Sequence, residues 1–175
     1  MFAKGIWHYG RGVAYAAKNN FELAQAELEA LAPLQQDVAV LFVDSRDYAG
    51  STRIAIAIDW LRGESAYRAG DFMAAAQHFR NAVAIQDQLP YTEPPFWYYP
   101  TRQSLGAALL AGGDAAGAEG VFREDLKMHP HNGWSMFGLA QSLDAQGKEQ
   151  EAAGVREKFA MSWQFADVEL KAAIL

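Results

Sequence analysis

The sequence predicts an all-α chain of about four stacked helix pairs, closed by a C-terminal capping helix. Two observations carry that expectation. Four alanines, Ala24, Ala75, Ala118 and Ala152, recur in matched local settings. Each follows a short glycine- or asparagine-containing break that separates two amphipathic stretches, the punctuation expected between helices.

The clearest unit spans residues 99–132, YPTRQSLGAALLAGGDAAGAEGVFREDLKMHPHN. Closely packed helices need small residues where their axes approach and large ones in the flanking gaps. Gly106 and Ala118 supply the small contacts; Leu105, Leu109 and Phe122 supply the fillers. Gly112 and Gly113 stop the first helix, Asp114 caps the second, and Pro130 ends it. The same order recurs three times. It is Gly12, Tyr15, Asn19-Asn20-Phe21, Ala24, Leu28 and Pro33 in the first unit, and Gly63, Tyr67, Gly70-Asp71-Phe72, Ala75 and Phe79 in the second. The fourth has Trp134, Phe137, Gly138, Gly147-Lys148, Ala152 and Phe159. Its first helix departs from the pattern, because Gly138 stands farther from its break than Gly106 does.

Helices are therefore expected at 3–18, 20–32, 52–69, 71–88, 97–112, 114–129, 132–146 and 148–162, with a terminal cap at 165–174. They form one domain with repeats near 3–33, 52–88, 97–130 and 132–162. The four alanines lie 51, 43 and 34 residues apart. Only the last spacing matches a period of about 34 residues, so the first two intervals carry insertions. The insertion at 34–51 holds Val38, Val40, Leu41, Phe42 and Val43, too apolar for a solvated loop. It reads as a segment packed between the first two pairs, or as a lid over a groove. The insertion at 89–98 is held extended by Pro90, Pro94 and Pro95.

These breaks, alanines and spacings resemble the tetratricopeptide repeat (TPR) family along most of the chain. YTEPPFWYYPTRQSLGAALLAGG and HNGWSMFGLAQSLDAQGK look like the C-terminal part of longer, uncharacterised bacterial TPR proteins. The likeness implies a right-handed α-α superhelix and further repeats ahead of Met1. It implies a non-catalytic scaffold that binds a peptide, a partner protein or upstream repeats in a concave groove lined by the first helix of each pair. Mapped onto this chain, the groove positions are Tyr9, Trp60, Glu64, Tyr67, Arg68 and Gln103, with Asn132 and Ser135 beside them. Trp60, Glu64, Tyr67 and Arg68 share one helix face by spacing. TPR receptors for chaperone tails place Lys and Asn on these helices. Tyr9, Val13, Trp60 and Gln103 stand there instead, which argues against that ligand.

Composition narrows the classes. A chain that is 51% hydrophobic and 13% aromatic is globular, not disordered. Its net charge is −6 and it has no basic cluster, against a nucleic-acid partner. It has no cysteine, which excludes disulfides and thiol catalysis and fits a cytoplasmic setting. No apolar run reaches membrane-spanning length. No cofactor or metal is expected. The His129-Pro130-His131 turn reads as solvated, and His8 and His78 as lone helical histidines. Asp44 and Asp47 read as solvated loop acids, while Ser51, Ser65 and Ser104 lack a nucleophile elbow. Gly112–Gly117 is no phosphate loop, for no Lys-Ser/Thr follows it. The aromatic run 91–99 reads chiefly as a structural plug, with self-association through it as a weaker expectation. The alternative to a scaffold is a small-molecule-binding or hydrolytic domain with 34–51 as its lid.

Overall fold

A computed structural model of the chain describes residues 1–44 and 48–174. It is all-helical among those residues, with α1 Phe2–Ala17, α2 Phe21–Leu31, α3 Val38–Asp44, α4 Gly50–Arg68 and α5 Phe72–Gln86. There follow α6 Thr101–Ala111, α7 Ala115–Met128, α8 Gly133–Asp144 and α9 Glu149–Trp163. A 3₁₀ segment, Ala32–Gln36, joins α2 to α3. No helix among the described residues is long and apolar enough to cross a membrane. The chain forms two compact units, Met1–Thr101 and Arg102–Leu175.

The expected pairs are α1–α2, α4–α5, α6–α7 and α8–α9, and all four turn in the same way. Asn19, Gly70, Gly113 and Gly147 hold positive φ at equivalent positions. The next residue's N–H reaches back five residues: Asn20 to the Tyr15 carbonyl, Asp71 to Ala66, Asp114 to Leu109 and Lys148 to Leu143. This double-bonded C-terminal stop satisfies carbonyls that the helix end would otherwise strand. The same residue then becomes the N-cap of the second helix. The side chains of Asn20, Asp71 and Asp114 accept from the backbone N–H of Leu23, Ala74 and Gly117. Four residues into each second helix stand Ala24, Ala75, Ala118 and Ala152, each buried.

Within the first unit, α1, α2, α4 and α5 enclose Ile54, Trp60, Leu61, Phe79 and Leu31. A Cβ on Gly63 would stand 2.6 Å from the Phe79 ring, and one on Gly12 would collide with Leu61. Within the second unit, a Cβ on Gly106 would stand 2.5 Å from the Phe122 ring, and Gly138 approaches that ring from α8. Phe122 thus lies between two glycines. Phe122 fills the gap over Gly106, as expected of a filler, and Ala118 is buried.

Three boundaries differ from expectation. The helix foreseen from 97 starts at Thr101: Pro100 disfavours helical backbone at Tyr99, and Trp97 and Tyr99 are buried. Gln86 clamps the junction, donating to the Tyr99 carbonyl and accepting from the Thr101 N–H. The foreseen cap helix at 165–174 is irregular chain. So short a helix has little stability of its own. Here the Trp163 indole N–H bonds the Val168 carbonyl at 2.7 Å, and Leu170, Ala173 and Ile174 are buried without helical backbone. The 34–51 insertion holds the 3₁₀ segment and α3, tucking Leu34 and Val40 inside while Val38 and Phe42 stay exposed.

Enlarging the buried alanine of a pair should disrupt this packing. Ala118→Leu is expected to cost about 1–3 kcal/mol by overpacking, measured by urea denaturation. An unchanged midpoint would show that the site accepts a large side chain.

Candidate functional site

The predicted groove residues fall into two classes. Tyr9, Trp60, Glu64 and Gln103 are buried, whereas Tyr67 and Arg68 are half-buried. The expectation that all six face solvent is corrected for the first four. For Tyr9 and Trp60 the physical reason lies in the aromatic run 96–99, which lies over α1 and α4. Tyr9 meets the Trp97 ring at 5.5 Å, and its hydroxyl lies 3.1 Å from that of Tyr98. Trp60 packs against Tyr9, Phe79 and Tyr99 at 5.8–5.9 Å. What the sequence suggested as contact aromatics is a core cluster, sealed by the chain's own proline-rich segment.

Beneath that cluster sits Glu64. Its Oε1 accepts from the Arg68 Nε at 2.7 Å, one helical turn on, while its Oε2 has no hydrogen-bond partner. Burial raises its pKa, and the Arg68 guanidinium pulls the other way without cancelling the shift. Burial, then the neighbouring Tyr98, likewise pushes the Tyr9 phenol well above its ordinary range. Tyr67 is edge-on to Phe72, the first residue of α5. Of these side chains Arg68 and Tyr67 are partly exposed, and Tyr98, bonded to Tyr9, is 66% exposed.

Gln103 belongs to a different set, in the second unit. Its Oε1 accepts from the Asn132 amide at 2.9 Å. Asn132 also donates to Asp125 at 2.8 Å, and the Ser135 hydroxyl donates to the same carboxylate oxygen at 2.6 Å. His129 Nδ1 lies 3.0 Å from the other oxygen of Asp125. His129 is exposed, as expected of this turn, and also bonds a buried carboxylate. Aspartate here bridges serine and histidine and does not line them up as nucleophile and base, so the set reads as a buried polar clasp. His8 pairs with Glu27 at 2.7 Å, and His78 with Asp59 at 3.2 Å. Each partner lies nineteen residues away, on the adjacent helix of the same pair, a distance no local motif reveals.

Asp44 Oδ1 accepts the Ser51 N–H at the start of α4, and Asp47 lies outside the described residues. Among the described residues no group of three or more His, Asp or Glu could hold a metal ion. A cavity of about 420 Å³ opens beside α2 and α4, with Phe21 and Leu28 on one wall and Arg62, Ser65 and His78 on the other. Among the described residues, none of its lining comes from the 34–51 insertion.

The second unit carries one strongly perturbed carboxylate. Glu119 on α7 accepts from Lys148 at 2.7 Å, Arg123 at 2.8 Å and Gln146 at 2.8 Å, tying α7 to the α8–α9 turn. These hydrogen bonds, led by Lys148, hold its pKa down at about 2, against an ordinary 4.5. No family model matches the chain, and no curated protein or solved structure matches it.

Two outcomes follow. Because the Glu119 pKa is depressed in the folded state, its contribution to stability is present above 4.5 and is lost as pH falls towards 2. Glu119→Gln should lower the melting temperature at neutral pH, and the gap from the parent should close on acidification. A gap independent of pH would place the effect elsewhere. Trp60→Ala should unfold or weaken the protein by about 3–5 kcal/mol, as a core deletion does. A full-stability Trp60→Ala protein would return Trp60 to the contact surface.

Proposed function

We propose that the chain is a TPR-type, non-catalytic interaction scaffold that holds a peptide or partner protein, with Arg68, Tyr67 and Tyr98 as its contact face. The observation that supports the reading is the fourfold turn, in which one hydrogen-bonded stop and one buried alanine recur in every helix pair, with a side-chain cap in the first three. Repeated hairpins expend their side chains on packing against one another and leave broad surfaces for recognition. Fold alone does not name a partner. The chemistry of the exposed face does restrict it. An arginine already bonded to a buried glutamate, beside tyrosines, suits an extended segment offering backbone carbonyls or a carboxylate.

Glu64 and Tyr9 then serve this face indirectly. Glu64 fixes the Arg68 guanidinium, and Tyr9 fixes the Tyr98 hydroxyl. A side chain held in place loses less entropy on binding. The cavity beside α2 and α4 is the observation that favours a small-molecule reading, and no described residue of 34–51 lines it as the lid of that reading would.

Capture of partners from cell extract on the immobilised chain tests the scaffold reading. Arg68→Ala combined with Tyr98→Ala should reduce the affinity of a captured partner roughly thirtyfold while the protein stays folded, because anchor residues commonly carry about 2 kcal/mol or more. Retention unchanged by both substitutions would remove this face from the binding surface. A thermal shift with a metabolite, abolished by Arg62→Ala, would favour the small-molecule reading.

A further inference from the structure

We infer that the cavity beside α2 and α4 is a binding site for a small monocarboxylate with a compact apolar body. The site lies wholly within the first unit. It gives the cavity of the small-molecule reading a ligand class, and it needs neither a lid nor the Arg68 face.

The cavity exists because a junction that is plugged in the second unit is left open in the first. Counted from Ala24 and Ala118, the lining residues Phe21, Gln25 and Leu28 correspond to Ala115, Glu119 and Phe122. Counted from Ala75 and Ala152, Ser65 and Ala69 correspond to Ser142 and Gln146. In the second unit one side chain ties these positions together. The Gln146 amide donates to the Ala115 carbonyl at 3.2 Å, the Glu119 carboxylate at 2.8 Å and the Ser142 carbonyl at 3.0 Å. Ala69 has only a methyl to offer at that place, and Leu28 is smaller than Phe122. Gln25, with no counterpart of Gln146 to meet, bonds Glu29 on its own helix at 2.9 Å.

The lining differs in chemistry as well as in bulk. Arg62 and His78 stand where the second unit has Leu139 and Val155. Ser142 commits its hydroxyl to the Gly138 carbonyl at 2.8 Å, whereas the Ser65 hydroxyl makes no hydrogen bond among the described residues. The Arg62 guanidinium comes no closer to Asp59 than 4.0 Å, beyond hydrogen-bond reach, while His78 Nδ1 engages that carboxylate at 3.2 Å. Arg62 and Ser65, three residues apart on α4 and so on one face, are therefore donors without a protein acceptor among the described residues. A carboxylate satisfies both, since a guanidinium grips it through two parallel N–H···O bonds. Asp59 beside Arg62 and His78 leaves this wall with little net positive charge, which suits a monoanion better than a phosphate. The other wall, with Phe21, Ala24 and Leu28, is apolar, and about 420 Å³ is at the small end of ligand pockets, enough for a single ring or a short chain.

Amide NMR spectra of the isotope-labelled chain test the site, with phenylacetate and hexanoate as probes and phenylacetamide and inorganic phosphate as controls. Both carboxylates should give saturable shifts at the amides of residues 21–28 and 62–69, and neither control should. Arg62→Gln should weaken phenylacetate at least about tenfold, by loss of the paired bonds. Ala69→Gln, which installs the second unit's plug, should abolish binding at an unchanged or higher melting temperature. Binding to Ala69→Gln as to the parent would overturn the proposal, as would equal binding of phenylacetamide, binding of phosphate alone, or no saturable shift with either carboxylate. Shifts centred on Arg68 and indifferent to Arg62→Gln would overturn it too. Should a variant not fold, the parent chain decides: nuclear Overhauser contacts from the phenylacetate ring to the Leu28 and Ala69 methyls support the site, and their absence at saturation counts against it. None of these substitutions touches Arg68, Tyr67 or Tyr98, so failure here is distinguishable from failure of partner capture on that face.

Discussion

The close approach of helices at glycine is the constraint on which each unit depends. Phe79 over Gly63, and Phe122 between Gly106 and Gly138, fill space that exists only because those positions lack a Cβ. Glycine inside a helix costs about 1 kcal/mol relative to alanine. Packing a whole aromatic ring against the neighbouring backbone offsets that cost several times over, at about 25 cal/mol per Å² of apolar surface buried. The turns serve the same end. By fixing one C-terminal stop and one N-cap at each break, they deliver the second helix at a register in which the alanine approaches and the large residue four positions later fills the gap.

Much of this was legible because it is local. Asn19, Gly70, Gly113 and Gly147 announce their backbone by residue type, and the caps at Asn20, Asp71 and Asp114 follow at once. Helix starts and ends accordingly fall close to expectation in most pairs. The terminal segment shows the limit. Val168, Leu170 and Ile174 are apolar, with the last two four residues apart as in a helix, but a side-chain bond from Trp163 to the Val168 carbonyl, together with burial of Leu170 and Ile174, accompanies a non-helical path. Periodicity reports what a helix would bury and not whether an extended chain buries it as well.

The candidate site was legible in its residues but not in their exposure. Spacing correctly grouped Trp60, Glu64, Tyr67 and Arg68 on α4 near one face. Whether that face meets solvent depends on residues 96–99, whose path over α1 and α4 is a tertiary event. The partners of the histidines were hidden for a related reason. His8 with Glu27, His78 with Asp59 and His129 with Asp125 are ion-pair geometries made by helix packing or by a turn folding back on its own helix. A lone histidine in sequence carries no mark of its partner.

On the scaffold reading proposed above, burial of Tyr9 and Trp60 changes what the aromatic run would do for binding. A free aromatic loop would lose conformational entropy whenever it gripped a partner. Here that ordering cost is met within the folding of the first unit, since Trp97 and Tyr99 are anchored against Tyr9 and Trp60. Tyr98, lying between these two anchors in sequence, is left exposed with its hydroxyl held by Tyr9. Glu64 does the same for Arg68 from below, at the cost of burying a carboxylate with one unpartnered oxygen. A buried charge of that kind is a poor way to stabilise a helix pair. On that reading it is intelligible as a means of fixing a guanidinium at the surface, which ties the least economical feature of the core to the proposed contact residues.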